Sequence, residues 1–130
     1  MTTYASARQA YAESTIMTAS PARLVVMLYD GAIRALRQSA AAMRSGERER
    51  AREKMRKAEA IIDELNDSLD LSHGELPQRL QAIYLFSKRQ LIEANLISDP
   101  GPIETVAGLL AELRSSWEQV ARGAEPSTAR

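Results

Sequence analysis

Apolar side chains recur every three or four residues along four stretches of this 130-residue chain, the spacing that places them on one face of an α-helix. The first stretch begins at Ser20-Pro21, where a serine can cap a helix and a proline fits its first position. It ends before Ser45-Gly46, a typical C-terminal signal. These signals predict the first long helix over 21–44.

Three more helices follow from the same spacing. Their predicted spans are about 47–69, about 77–96, and from the turn at 99–102 to about 122. Helices of roughly 20 to 24 residues joined by short loops favour an all-α fold, an antiparallel up-and-down four-helix bundle that occupies residues 20–122.

The two ends of the chain lack this regularity. We expect residues 1–19 to form a short, mobile N-terminal arm that docks on the bundle through Tyr4, Tyr11 and Ile16. The alternative is a frayed end in which the tyrosines are incidental. Residues 123–130 are rich in small and polar residues and are predicted to be a disordered tail.

The first long helix carries more apolar side chains than one core-facing stripe needs, because residues 24–29 are all apolar and point around the whole axis. One seam is bulky: Val26, Tyr29, Ile33, Leu36, Ala40 and Met43. The neighbouring seam is mostly small: Leu24, Leu28, Gly31, Ala35 and Ala42. Either both seams pack inside the bundle, or one lines a groove for a segment from another molecule. The third helix shows a similar excess.

Charge and composition exclude several classes of partner. Lys plus Arg and Asp plus Glu number 17 each, so no overall field attracts nucleic acid or an anionic membrane. In the second helix, acidic and basic residues are interleaved, with Glu49 near Arg52 and Glu53 near Lys57, which is typical of a solvated helix face. No signal peptide and no membrane-spanning run are present, and we expect a cytosolic protein.

Residues for catalysis or metal binding are scarce. The chain has no cysteine, and its one histidine, His73, lies in a predicted loop without the Glu-x-x-His pattern of metal-binding bundles. No glycine-rich phosphate loop is present, since Gly31 stands alone inside a helix. We therefore expect no enzyme activity, no metal and no cofactor.

The residues that carry a family resemblance begin with Met17-Thr18-Ala19-Ser20-Pro21 and continue with Leu24-Val25-Val26-Met27-Leu28-Tyr29-Asp30-Gly31-Ala32. Further matching segments follow in order: Lys57-Ala58, Ile61-Ile62, Glu64-Leu65-Asn66, Ser68-Leu69-Asp70, Glu93-Ala94-Asn95, Leu113-Arg114 and Trp117. Together they closely resemble the flagellin export chaperones, the FliS family.

This resemblance implies a cytosolic chaperone that binds the C-terminal region of newly made flagellin, prevents its premature polymerisation and helps deliver it to the flagellar type III export apparatus. The residues that we predict to contact flagellin are Leu24, Met27, Leu28, Gly31, Ala35, Leu85, Ile92 and Leu96. We expect a monomer or a weak homodimer. The main alternative is a homodimeric helical scaffold that buries its surplus apolar surface against a second copy and does not bind flagellin.

Overall fold

Four α-helices make up the fold. The computed structural model describes residues 20–124, and this range contains no β-strand. The helices are α1 (Pro21–Arg44), α2 (Arg48–Asp67), α3 (Glu75–Ile97) and α4 (Gly101–Ala124). Each helix packs against the next one along the chain, and α1 also packs against α4. This closed ring of neighbours is a four-helix bundle, so the predicted fold class is confirmed.

The ends of α1 follow from its sequence. The Ser20 side chain accepts a hydrogen bond from the backbone N–H of Arg23, at 3.1 Å, and Pro21 occupies the first helical position. After the helix, Gly46 adopts a φ of +76°, a conformation that side chains disfavour. The predicted start and end signals of this helix are therefore both used.

The third helix starts at Glu75, and Pro77 lies in its first turn, as the sequence predicts. Pro77 is accommodated in the first turn, where its missing N–H would have no intrahelical partner. Gly74 supplies the preceding φ of +89°. The fourth helix continues through Ala124, two residues beyond the predicted boundary at 122.

Helix α1 is enclosed on two sides because it packs against both α2 and α4. A Cβ added at Gly31 would lie 3.3 Å from Cδ1 of Ile61, so Gly31 faces α2. Ala35 and Ala42 are also buried. At these positions the second, small-residue seam of α1 packs inside the bundle, whereas Leu24 and Leu28 of the same seam are half-buried.

Two buried tyrosines connect opposite helices through the centre of the core. The hydroxyl oxygens of Tyr29 in α1 and Tyr84 in α3 are 2.6 Å apart. Tyr29 also shares a hydrogen bond with Trp117 of α4. Burial raises the pKa of both tyrosines, so each hydroxyl keeps its proton and can donate it within this chain of hydrogen bonds.

Ion pairs join the beginning of α1 to the end of α4. Arg23 binds the Glu118 carboxylate through two hydrogen bonds of 2.7 and 3.1 Å, and Arg114 binds Asp30 at 2.7 Å. Arginine side chains lower the pKa of Glu118 to about 2. Asp30, a polar residue in an apolar neighbourhood of the sequence, therefore has its partner within the bundle.

Candidate partner-binding surface

Helix α3 exposes most of the large apolar side chains that the described part of the chain leaves in contact with solvent. The exposed residues of α3 are Leu76, Leu85, Phe86, Ile92, Leu96 and Ile97. Leu85, Ile92 and Leu96 are seven and four residues apart, so they share one face of the helix. Their exposed fractions are 44%, 55% and 76%. We call these three residues the α3 strip.

A groove between α2 and α3 runs beside this strip. Its volume is about 180 Å³; Met55 and Leu91 form its buried floor, and Ile92 and Leu96 of the strip form its α3 side. On the α2 side it is lined by Arg52, Arg56 and Glu59. We call this feature the α2–α3 groove.

The groove continues toward the turn between α1 and α2. A second depression of about 230 Å³ shares Arg52, Met55 and Asn95 with it and extends to Gly46 and Arg48. The two depressions therefore lie side by side along α2, and Arg48, Arg52 and Arg56 line them.

Charges along the groove differ in how far they are neutralised. Burial raises the pKa of Glu59, while nearby Lys88 and Arg56 favour its charged form. Lys88 also donates a hydrogen bond of 2.6 Å to Asp63. For Glu59, burial therefore outweighs the attraction of the neighbouring cations.

The predicted contact residues of α1 are less accessible than those of α3. Leu24, Met27 and Leu28 are half-buried, and Leu28 packs on the core. Gly31 and Ala35 are occupied by contacts between helices. No large apolar residue between 24 and 36 is exposed. Ala35 is fully buried, so a partner could reach it only if α1 separated from its neighbours, whereas Gly31 is half-buried.

The α1 and α3 groups also lie apart in the bundle, because α1 packs mainly on α2 and α4. The structure brings Ile92 and Leu96 together at one groove and places Leu85 on the same face. It does not join them to Leu24 or Met27. The predicted docking residues Tyr4, Tyr11 and Ile16 lie outside the described residues.

Sequence reasoning missed several residues of this surface. Phe86 and Ile97 are exposed beside the α3 strip, and the only signal for them was the apolar excess of the third helix. Arg52 and Arg56 were interpreted as part of a solvated face. Their position beside an apolar groove depends on how α2 packs against α3, which helical spacing does not reveal.

Within residues 20–124, no group of three or more potential metal-ligating side chains comes together. His73 is exposed and lies 2.7 Å from Asp70, a carboxylate of the same loop. None of the described helices has the length and apolarity required to cross a membrane. The chemistry that this surface does offer is the binding of an apolar segment of another chain.

Fold and surface together define a helical-bundle binding protein that presents apolar side chains beside an open groove. Comparison with known proteins specifies the family. The family described as Flagellar protein FliS matches residues 4–124, and the chain belongs to this family. It is a family of chaperones and not of enzymes.

Characterised relatives cover most of the chain. The flagellar secretion chaperone FliS of Salmonella typhimurium is 38% identical over 122 residues, which span 89% of this chain and 90% of the relative. The FliS proteins of Bacillus subtilis and Escherichia coli are each 36% identical, over 110 and 121 residues. These alignments cover 85% and 88% of this chain, and 82% and 89% of the respective relatives.

Proposed function

We propose that this chain is a cytosolic export chaperone that binds the C-terminal region of newly made flagellin. Bound in this way, flagellin is kept from polymerising early and is delivered to the flagellar type III export apparatus. The function as a flagellar export chaperone is supported by the membership in the FliS family. The assignment of flagellin as the bound chain and of the export apparatus as its destination extends this conclusion.

The observation that carries the proposal is the α3 strip. A folded bundle of this size normally keeps large aliphatic side chains of one helix face covered, and a cluster of exposed ones marks an interaction surface. A flagellin segment that is unstructured when free can fold on contact and lay an amphipathic helix against the strip and into the α2–α3 groove. Leu85, Ile92 and Leu96 are then direct contacts.

The α1 residues contribute differently in this proposal. Leu24, Met27 and Leu28 are half-buried near the start of α1. We propose that Tyr4, Tyr11 and Ile16 cover apolar surface in the absence of flagellin. Deletion of residues 1–16 is then expected to change the affinity for flagellin without unfolding the bundle, and a loss of helical structure by circular dichroism would contradict this role.

The direct test is a titration with the C-terminal segment of the flagellin from the same bacterium. Multi-angle light scattering should give a one-to-one complex from a monomeric chaperone, and the free flagellin segment should gain helical signal on binding. If the protein is instead a stable dimer that leaves the segment unbound, the homodimeric scaffold is the better interpretation.

A further inference from the structure

Charge is unevenly distributed along α1 and α2, although the whole chain is neutral. Residues 34–57 contain nine Lys and Arg against three Glu, whereas residues 58–75 contain six Asp and Glu and no Lys or Arg. The basic half includes the α2 side of the α2–α3 groove. The bundle therefore has a strongly cationic region next to its exposed apolar strip.

The arginines along this groove have no ion-pair partners in the described part of the chain. Arg48, Arg52 and Arg56 are all exposed, and none of them takes part in the ion pairs of residues 20–124. Even the helical neighbours Glu49 and Arg52 do not come within pairing distance. We call these three arginines the groove arginines.

The arrangement is not explained by the stability of α2. Cations are unfavourable at a helix N-terminus, and carboxylates are unfavourable at its C-terminus. Helix α2 begins at Arg48 and ends at Asp67, with no basic residue in its last turn. Glu49 in the first turn complements the helix dipole, whereas Arg48 in the same turn and Asp67 at the C-terminus oppose it, so the dipole does not account for Arg48.

We propose that the α2–α3 groove selects an amphipathic helix whose flank facing α2 is acidic. This inference rests on the proposed function and adds the chemistry of the bound flagellin segment. Apolar side chains of the segment cover Ile92 and Leu96, and its carboxylates pair with the groove arginines. Since these arginines are four residues apart, they lie along one face of α2 over about 12 Å. The segment should carry two or three carboxylates at matching intervals of three or four residues.

Charge complementarity distinguishes this occupant from others. Interleaved glutamates and the absence of an exposed aromatic among the groove residues argue against nucleic acid, which prefers continuous basic grooves with stacking platforms. Glu59 is a single carboxylate on a flank that carries three arginines, so the α2 side of the groove stays net cationic toward an acidic occupant.

The test compares two charge-reversal variants of the full chain. Arg52→Glu with Arg56→Glu changes the groove. Arg50→Glu with Lys57→Glu is the matched control: it changes the net charge equally on the same helix, but neither position lines the groove. Binding of the labelled flagellin C-terminal segment is measured by fluorescence anisotropy at low and high salt.

At low salt the groove variant should bind about five to ten times more weakly than the wild type, and the control variant within about twofold of it. The difference should shrink at high salt, because partly exposed ion pairs are screened. Equal effects of both variants, or no effect of the groove variant on a segment that does bind, would overturn the inference.

A second measurement separates this inference from the proposed function. Two designed 18-residue amphipathic peptides share their apolar positions and carry either Glu or Lys along one flank. The Glu peptide should bind the wild type at least about fivefold more tightly, and the groove variant should lose this preference. If the flagellin segment fails to bind at all while the Glu peptide behaves in this way, the flagellin assignment fails and the acidic selectivity stands.

Other occupants give recognisable results. A labelled single-stranded oligonucleotide that binds the wild type and loses affinity for the groove variant would assign the arginines to nucleic acid and overturn the proposal. A wild-type dimer in light scattering that becomes monomeric in the groove variant would assign the groove to the acidic half of a second copy, with the same consequence.

Discussion

Truncation of the α3 strip should separate binding from folding. In the double variant Ile92→Ala with Leu96→Ala, the removed atoms are mostly exposed in the free protein, since these side chains are 55% and 76% exposed. Complete burial of a Leu or Ile side chain contributes about 1.5–3 kcal/mol. The exposed part available to a partner is therefore roughly 1–2 kcal/mol for each residue.

Not all of this surface is covered in a complex, and association has its own entropic costs. A combined loss of about 2 kcal/mol is a reasonable expectation, which corresponds to an increase of the dissociation constant by roughly 30-fold. The free energy of unfolding should fall by about 1–2 kcal/mol for the pair, because only the minority of each side chain that already contacts the bundle is lost.

Isothermal titration calorimetry with the flagellin segment and urea denaturation measure the two quantities. Leu76→Ala is a matched control, because Leu76 is an exposed residue of the same helix outside the strip. The affinity of this variant for the flagellin segment should stay within about twofold of the wild type. Leu91→Ala is the opposite control, since this fully buried neighbour should cost about 2–5 kcal/mol of stability. Unchanged affinity in a double strip variant that still unfolds cooperatively would refute the placement of flagellin on this strip.

Three further predictions concern the interior and the ion pairs. Tyr84→Phe should cost about 1 kcal/mol in urea denaturation, whereas Tyr29→Phe should cost about 1–3 kcal/mol, because it removes the middle of the hydrogen-bonded chain and leaves a buried hydroxyl unpaired; equal losses would contradict this order. Ser87→Ala should be neutral or stabilise by up to about 1 kcal/mol in thermal unfolding, since the buried hydroxyl has no hydrogen-bond partner among the described residues. Ser39→Ala should destabilise by about 1 kcal/mol, because the Ser39 hydroxyl donates a hydrogen bond to the carbonyl of Ala51. Glu118 has a pKa of about 2 in the folded chain and an ordinary pKa of 4.5, so at intermediate pH the unfolded chain binds a proton that the folded chain does not. Stability should therefore decrease as the pH falls from 4.5 toward 2. Glu118→Gln should flatten this part of the pH–stability curve, and an unchanged slope would argue against the pairing.

Local signals in the sequence determine most of the helix limits. Ser20 and Pro21 start α1 because their side chains favour the geometry of a helix N-terminus whatever lies nearby. Pro77 indicates the first turn of α3 but not its first residue, because a proline fits any position of that turn. In the structure Glu75 and Leu76 precede it in the helix.

Local signals of this kind do not predict which residues far apart in the sequence contact each other. Asp30 is a polar residue in an apolar run, and no local feature of the sequence indicates that its partner is Arg114, 84 positions away. The same holds for Gly31, whose close approach to Ile61 could equally have been an approach to another molecule. Helical spacing tells which residues share a face, and the packing of the bundle decides what that face meets.

This distinction explains where the surplus apolar surface lies. The sequence predicts an excess on both α1 and α3, and the structure exposes it on α3. Helix α1 is covered from two sides by α2 and α4 and is further tied to α4 by Arg23 and Asp30, so even a wide apolar surface is enclosed. Helix α3 lies beside an open groove and keeps its strip exposed. Substitutions in α1 should therefore lower the free energy of unfolding more than the affinity for the partner, and substitutions in the α3 strip should do the reverse. The ratio of the change in affinity to the change in stability, measured for each residue, then maps the binding surface.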